Sequence, residues 1–364
     1  MTNDIGILGT GLWQCEAISN EMMRRDVQQA EVKDPYHGRR DDSGAVSIAG
    51  MVFTPDKHAR TLAAIERSFR DPYRGTRRRR IFPPTFKVSD AESDAARRAI
   101  ADAGMTPADI GALLVQSFLP DDIQPKNQGL VAHNLGITHA PAWGVESICN
   151  SPITHFTIGS SLIVAGHAET VLCVQSSALS RVTDPNSSST VQEADMASAF
   201  VLGRSPGARA AFSWRTDGRL HGAISTPWEV PAGAPPRRYW EPSKERLMVH
   251  FDPSLQAELM GEIAEKARIV CAEALARAEM TLDEIEVFIS HQPMSWYDAF
   301  ISDVLGLRDG VLFGTFEEYA NINASSITAS LHHARLEGRI TKGTKVLMFG
   351  PAAGYTYGAA ALRW

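Results

Sequence analysis

Ala-Ile-Ala-Asp-Ala-Gly-Met-Thr-Pro-Ala-Asp-Ile-Gly-Ala-Leu-Leu-Val-Gln-Ser-Phe, residues 99–118, has a second copy further along the chain. Residues 274–293 read Ala-Leu-Ala-Arg-Ala-Glu-Met-Thr-Leu-Asp-Glu-Ile-Glu-Val-Phe-Ile-Ser-His-Gln-Pro. Setting Met105 on Met280 carries Ala103, Thr106 and Ile110 onto Ala278, Thr281 and Ile285. Each copy pairs an amphipathic helix with a Met-Thr turn, an acidic residue and an apolar strand. The same alignment sets Val171-Leu172 on Val346-Leu347, the start of another apolar strand. A repeated unit of alternating helices and strands implies two similar α/β halves packed about a pseudo-twofold axis.

Working outward, residues 1–205 form the first half and residues 251–364 the second. Residues 206–250 read as a linker, rich in Gly, Pro and Trp between Thr226 and Pro242. Residues 25–80 have no counterpart and read as an insertion, with the charged runs Arg39-Arg40-Asp41-Asp42 and Arg77 to Arg80. The length of 364 residues suits such a two-part globule. A net charge of −6 argues against nucleic acid as the main partner. No apolar run reaches the roughly 20 residues that span a bilayer, and no basic-then-apolar leader is expected. Cysteines 15, 149, 173 and 271 are far apart, which suits neither a zinc site nor a disulfide framework and points to the cytoplasm. The eleven His are scattered, and His332-His333 face different ways on a helix, so no metal is expected.

Cys149 ends the run Gly144-Val145-Glu146-Ser147-Ile148-Cys149 and is followed by Asn150-Ser151-Pro152. Pro152 suits the first turn of a helix, and Ile153, Phe156 and Ile163 read as its buried side. Cys149 is therefore expected between a strand and a helix N-terminus, where dipole and unpaired N–H groups favour the nucleophilic thiolate. A small buried cysteine at a strand end fits the same local pattern. His291 closes the strand Val287-Phe288-Ile289-Ser290, before Gln292-Pro293. Asn321 lies in the turn Tyr319-Ala320-Asn321-Ile322-Asn323. The repeat alignment maps Cys149 to position 324, so the duplication places Cys149 and the Asn321 turn at related ends of the two halves. A thiolate there can attack a thioester, and neutral His and Asn can donate hydrogen bonds to an oxygen gaining charge.

These residues resemble the ketoacyl-acyl carrier protein synthase III-like family of the thiolase superfamily. The match rests on Cys149 before a buried helix, His291-Gln292 after a strand, and Tyr319-Ala320-Asn321. The ending Phe349-Gly350-Pro351-Ala352-Ala353-Gly354 also resembles the family's glycine-rich loop. The resemblance implies the α/β thiolase fold, with duplicated halves in five αβαβα layers. It implies Cys149, His291 and Asn321 as catalytic residues and the N–H groups of Cys149 and Ala353 as an oxyanion hole. It further implies a homodimer, an acyl-CoA or acyl carrier protein thioester as substrate, and no other cofactor. Departures from the family pattern are Asn150-Ser151 after the nucleophile, Pro293-Met294 after His291-Gln292, and Ala194-Asp195-Met196-Ala197-Ser198 in place of a Gly-rich segment. They suit a specialised relative from secondary metabolism, such as polyketide biosynthesis.

Three functions follow. The first is loading of an acyl group on Cys149 and decarboxylative condensation with a malonyl-type thioester. The second is transfer of that acyl group to a hydroxyl or amine of a small-molecule acceptor, with His291 as base. The third is a non-catalytic partner subunit, which retention of Cys149 disfavours. Arg74, on the turn Asp71-Pro72-Tyr73-Arg74-Gly75, and Arg77–Arg80 are candidates to hold coenzyme A phosphates or an acidic carrier, against a solvated charged loop. Trp296 and Tyr297 are candidates to line the substrate pocket, with core packing expected for at least one. Cys15, Cys173 and Cys271 read as structural.

Overall fold

Helices cover both faces of each main sheet, so the central strands carry apolar or small side chains on each side instead of alternating. Val171–Ala178 is buried at every position. The computed structural model describes residues 4–22, 39–41, 43–48, 50–184, 190–229, 234 and 237–364. Residues 25–38 of the insertion and 230–233 of the linker lie outside the described residues.

One sheet contains β1 (Ile5–Leu12), β2 (Ala112–Phe118), β3 (Ala142–Gly144), β4 (Val171–Ala178) and β5 (Asp195–Arg204), in the order β1-β5-β4-β2-β3. The other contains β6 (Arg209–Thr216), β7 (Val287–Ser290), β8 (Lys345–Pro351) and β9 (Thr356–Arg363), in the order β6-β9-β8-β7. β2 runs parallel to β4, as β7 does to β8; β4–β5 and β5–β1 are antiparallel, as are β8–β9 and β9–β6. The second sheet therefore repeats four strands of the first, and β3 is the extra one. The repeat extends to the turns. Asp109 Oδ2 accepts from Thr106 N and Oγ1, both at 2.7 Å, and Glu284 Oε2 accepts from Thr281 N and Oγ1 at 2.8 and 3.2 Å. Both Met-Thr turns are thus closed by a reciprocal capping box.

Helix α1 (Val88–Asp102) packs on the outer face of the first sheet, and α3 (Pro253–Ala278) on the outer face of the second. Between the sheets lie α2 (Ser151–Val164) and α4 (Ser325–Leu336), which touch each other. Three cores fill the spaces between these five layers; Phe156, Ile327 and Leu331 belong to the middle one. The Asp252 side chain starts α3 by accepting from Ser254 N and Leu255 N. Strand β6 falls among the residues read as linker and joins the second sheet. The helix Ala59–Arg70 of the insertion packs on the helix Tyr297–Leu305 and is fixed there by Arg60 Nε on Asp303 at 2.7 Å. Among the described residues no helix is long and apolar enough to cross a membrane.

Glu92, on α1, is fully buried beneath the ends of β2 and β4. Its carboxyl accepts from Ser117 Oγ and Ser176 Oγ at 2.6 Å each, and from Asn127 Nδ2 at 2.9 Å. Burial outweighs these donors and pushes its pKa up to about 7. The folded protein therefore holds this proton where the unfolded chain has lost it. Stability is full below pH ~4.5, falls by about 3 kcal/mol as pH rises to about 7, and is flat above that. Urea titrations between pH 5 and 8 are expected to show the fall, and Glu92→Gln to remove it. An equal slope in both proteins contradicts this account.

Candidate active site

Strand β3 delivers the chain to an elbow. Ile148 has φ +46°, a left-handed conformation that a β-branched residue adopts only under constraint. It starts the single turn Ile148–Asn150, and α2 begins at Ser151, with Pro152 in its first turn. Ser147 N donates to Ser151 Oγ at 3.0 Å, which closes the elbow. Cys149 is half-buried at its tip, and its Sγ–H donates to Asn323 Oδ1 at 3.0 Å. Burial pushes the thiol up to about 12, against the pull of the Cys149 and Ala353 N–H groups. Cys149 lies between a strand and a helix N-terminus, as expected, and burial there opposes the thiolate that the helix end favours. Cys149 stands two residues outside the first helical residue, and desolvation decides its protonation.

His291 follows β7 and is pinned by its own N–H to Phe349 O on β8 at 3.0 Å. Its buried ring lies 3.3 Å, at Nδ1, from Ser326 Oγ at the start of α4, and hydrogen-bonds the Asn323 carbonyl. Burial drives its pKa down to about 3, so the imidazole is neutral at ordinary pH. Gln292 faces the protein: Nε2 donates to Asp298 Oδ2 at 2.9 Å, and Oε1 accepts from Thr315 N at 2.8 Å. A Cβ at Gly314 would lie 2.1 Å from that amide, so only glycine fits there.

Asn321 is held by backbone hydrogen bonds to Gln192 O and from Ala194 N, at 2.7 and 3.1 Å. Its Oδ1 accepts from Asn323 N at 3.0 Å, and its Nδ2 has no partner among the described residues. Asn323, with φ +51°, is the asparagine whose side chain touches the thiol. Sequence reasoning missed it. The duplication carried the signal, because the repeat alignment sets Asn323 on Ile148, the other left-handed residue of the pair. Ala353 opens a tight turn in which Gly354 has φ +76°, and its N–H meets the sulfur. Two backbone N–H groups and the Asn323 amide thus meet the thiol, and His291 and Asn321 are joined to the same turn through the Asn323 backbone.

Asn150 is fully buried beside this loop. A Cβ at Gly350 would come within 2.9 Å of its Oδ1, so the larger residue after the nucleophile is accommodated by that glycine. Tyr297 is buried with a hydroxyl that has no partner among the described residues; burial holds it above its ordinary pKa, and the Tyr355 and Cys149 charges add to that. Trp296 is core: its ring lies edge-on to Phe53 at 5.6 Å.

Among the arginines, Arg74 and Arg79 depart from a surface reading. Arg74 is buried, with its guanidinium 5.1 Å from the Phe69 ring centre and Nη1 3.5 Å from Phe69 O. Arg79 is wholly buried and donates to Asn20 Oδ1. Arg77 and Arg78 pair with Glu317 and Glu318, and Arg80 lies 4.2 Å over the Tyr319 ring while donating to Glu318. The basic run therefore ties the insertion to the turn before Asn321, with Arg77 and Arg78 still exposed.

Among the described residues no three His, Cys, Asp or Glu side chains group as a metal site. Residues 144–218 match the family model of 3-oxoacyl-[acyl-carrier-protein (ACP)] synthase III, and residues 275–364 match that of its C-terminal part. Beta-ketoacyl-[acyl-carrier-protein] synthase III 3 of Streptomyces coelicolor is 32% identical over 293 residues, 76% of this chain and 83% of that protein. The Bordetella petrii beta-ketoacyl-[acyl-carrier-protein] synthase III is 29% identical over 292 residues, 79% of this chain and 85% of that protein. The solved structure of the priming beta-ketosynthase from the R1128 polyketide biosynthetic pathway matches with a TM-score of 0.76. At 22% identity, over 100% of this chain and 96% of that one, it speaks for the fold alone. The architecture is the thiolase fold, as the sequence implied.

Proposed function

The chain belongs to the 3-oxoacyl-acyl carrier protein synthase III family of condensing enzymes, and from that premise we propose that it carries an acyl group as a thioester on Cys149. The donor is an acyl-CoA or an acyl carrier protein thioester. The observation that supports this reading best is the thiol itself, set against the N–H groups of Cys149 and Ala353. When the sulfur attacks the donor carbonyl, those two N–H groups receive the oxyanion. A thiol with pKa near 12 needs a proton acceptor as it attacks, and this reading assigns that role to neutral His291.

In the second half-reaction a malonyl-type thioester loses carbon dioxide. His291 and the Nδ2 of Asn321 donate to its thioester oxygen as the enolate forms, and the carbanion attacks the acyl group on Cys149. No further cofactor enters this scheme, and a role in secondary metabolism fits the altered residues around the site. A homodimer is part of the reading. Strand β3 is an edge of its sheet among the described residues, and Trp143 on it is 44% exposed, which suits pairing with a second copy. A second reading, transfer of the acyl group to a hydroxyl or amine, is favoured by the carboxylate of Glu146 next to the nucleophile.

The test is a single-turnover chase. Enzyme acylated from a panel of acyl-CoA donors is freed of donor and mixed with malonyl-CoA or malonyl carrier protein. Carbon dioxide and a 3-oxoacyl thioester are expected as the acyl-enzyme disappears. An acyl-enzyme that persists with both chases contradicts condensation.

A further inference from the structure

The pseudo-twofold that relates the two halves also relates groups around Cys149 that the condensing scheme leaves unused. The repeat alignment carries Ile148 onto Asn323, Glu146 onto Asn321, and Gln116 onto His291. The structure keeps this correspondence at the two left-handed residues. Glu146 Oε1 accepts from Ile148 N at 2.7 Å, as Asn321 Oδ1 accepts from Asn323 N at 3.0 Å. In each case the donor is a left-handed residue, at φ +46° and +51°. Gln116 lies near the end of β2, as His291 follows the end of β7, and the two strands hold the same place in their sheets. Gln116 is 1% exposed, and its Oε1 accepts from Ser176 N at 3.2 Å. Its Nε2 is buried without a full hydrogen bond and turns toward the Glu146 carboxylate.

Two polar pairs of common origin therefore adjoin the turns that meet at Cys149, one through Ile148 and one through Asn323. His291 and Asn321 come from the second half, Gln116 and Glu146 from the first. The pair from the second half is neutral and donates. The pair from the first half ends in a carboxylate, the one kind of group that accepts a proton readily. Decarboxylation creates its carbanion without a base and has no use for Glu146. A protic acceptor does need one, and the His291 ring is already engaged with Ser326 Oγ and the Asn323 carbonyl.

We propose that Glu146, oriented by Gln116, is the general base for a second activity of this site: transfer of the acyl group from Cys149 to a hydroxyl or amine. The inference rests on the acyl-Cys149 reading and names the acceptor class that its second half-reaction takes. As the acceptor oxygen or nitrogen bonds to the thioester carbon, its proton passes to Glu146. The tetrahedral oxyanion sits on the N–H groups of Cys149 and Ala353. Its collapse breaks the carbon–sulfur bond, and the departing sulfur recovers a proton, regenerating the thiol and the carboxylate. Glu146 is exposed at the rim, where an acceptor reaches it. Packing around the carboxyl still holds its pKa above the ordinary range, against the lowering pull of Ile148 N–H, Lys126 and Gln116. Lys126 and Cys149 are the titratable neighbours that face it.

The experiment loads Cys149 from butyryl-CoA, removes the donor, and follows loss of the butyryl mass with ethanolamine, glycerol or hydroxylamine across pH 5 to 9. Hydroxylamine cleaves thioesters without a base and reports whether the acyl group is intact and accessible. In Glu146→Gln the butyryl mass still accumulates and hydroxylamine still removes it. Transfer to ethanolamine and glycerol is expected to fall about 100-fold and to lose its acid limb, and Glu146→Asp to restore part of the rate. Transfer by Glu146→Gln at the normal rate overturns the proposal, and so does wild-type acyl-enzyme inert to both acceptors. Absence of any butyryl mass on Cys149 is a different failure, because it removes the acyl-enzyme reading itself.

Discussion

Replacement of Cys149 by alanine is expected to lower turnover by at least ~10³-fold, because the only atom able to hold the acyl group is removed. The rest of the site survives the change. Asn321 keeps its hydrogen bond to Asn323 N, His291 keeps its contact with Ser326, and the Ala353 turn does not depend on the sulfur. Only Asn323 Oδ1 loses its donor. The variant should therefore fold with a stability within about 1 kcal/mol of the parent, checked by urea titration beside the activity assay. Lost activity in a folded protein assigns the effect to chemistry.

His291→Ala is expected to act mainly on the second half-reaction, slowing condensation by about 10²- to 10⁴-fold while acyl-Cys149 still forms, at a reduced rate. The sign of its pH behaviour follows from the ring's surroundings. With a pKa near 3, His291 stays neutral from pH 5 to 9, so the ratio of wild-type to variant rates should be flat across that range. A ratio that changes steeply near pH 6 to 7 would falsify the neutral-donor role. Removing the ring also leaves the Asn323 carbonyl without its partner, and a stability loss of about 1–3 kcal/mol is expected.

The duplicated architecture was legible because it is written in apolar periodicity and turn chemistry, which are local. Thr106 and Thr281 form matching capping boxes at equivalent positions of the repeat, and β2 and β7 begin at equivalent positions after them. The convergence of Cys149 with the 321–323 turn was legible for the same reason. Which asparagine touches the sulfur was not. Asn321 and Asn323 are near neighbours in the same turn, and the left-handed φ of Asn323, rather than its composition, aims its amide at the thiol. The protonation of Cys149 was equally hidden, since desolvation depends on everything packed around it. The partners of the arginine run, Glu317 and Glu318, were not legible because they lie far away in sequence and meet it only in the folded chain. Gln116 and Glu146 escaped notice because neither sits in a recognisable motif; only the observed hydrogen bond to Ile148 exposes their likeness to His291 and Asn321.

The central claim is that Cys149 holds the acyl group, and intact-protein mass spectrometry tests it most directly. The protein is incubated with acyl-CoA and acyl carrier protein thioesters, and the modified peptide is mapped beside Cys149→Ala. A gain of one acyl group on the peptide containing Cys149, absent from the variant, is the result expected. No gain with any donor, or a gain that persists in Cys149→Ala, contradicts the account.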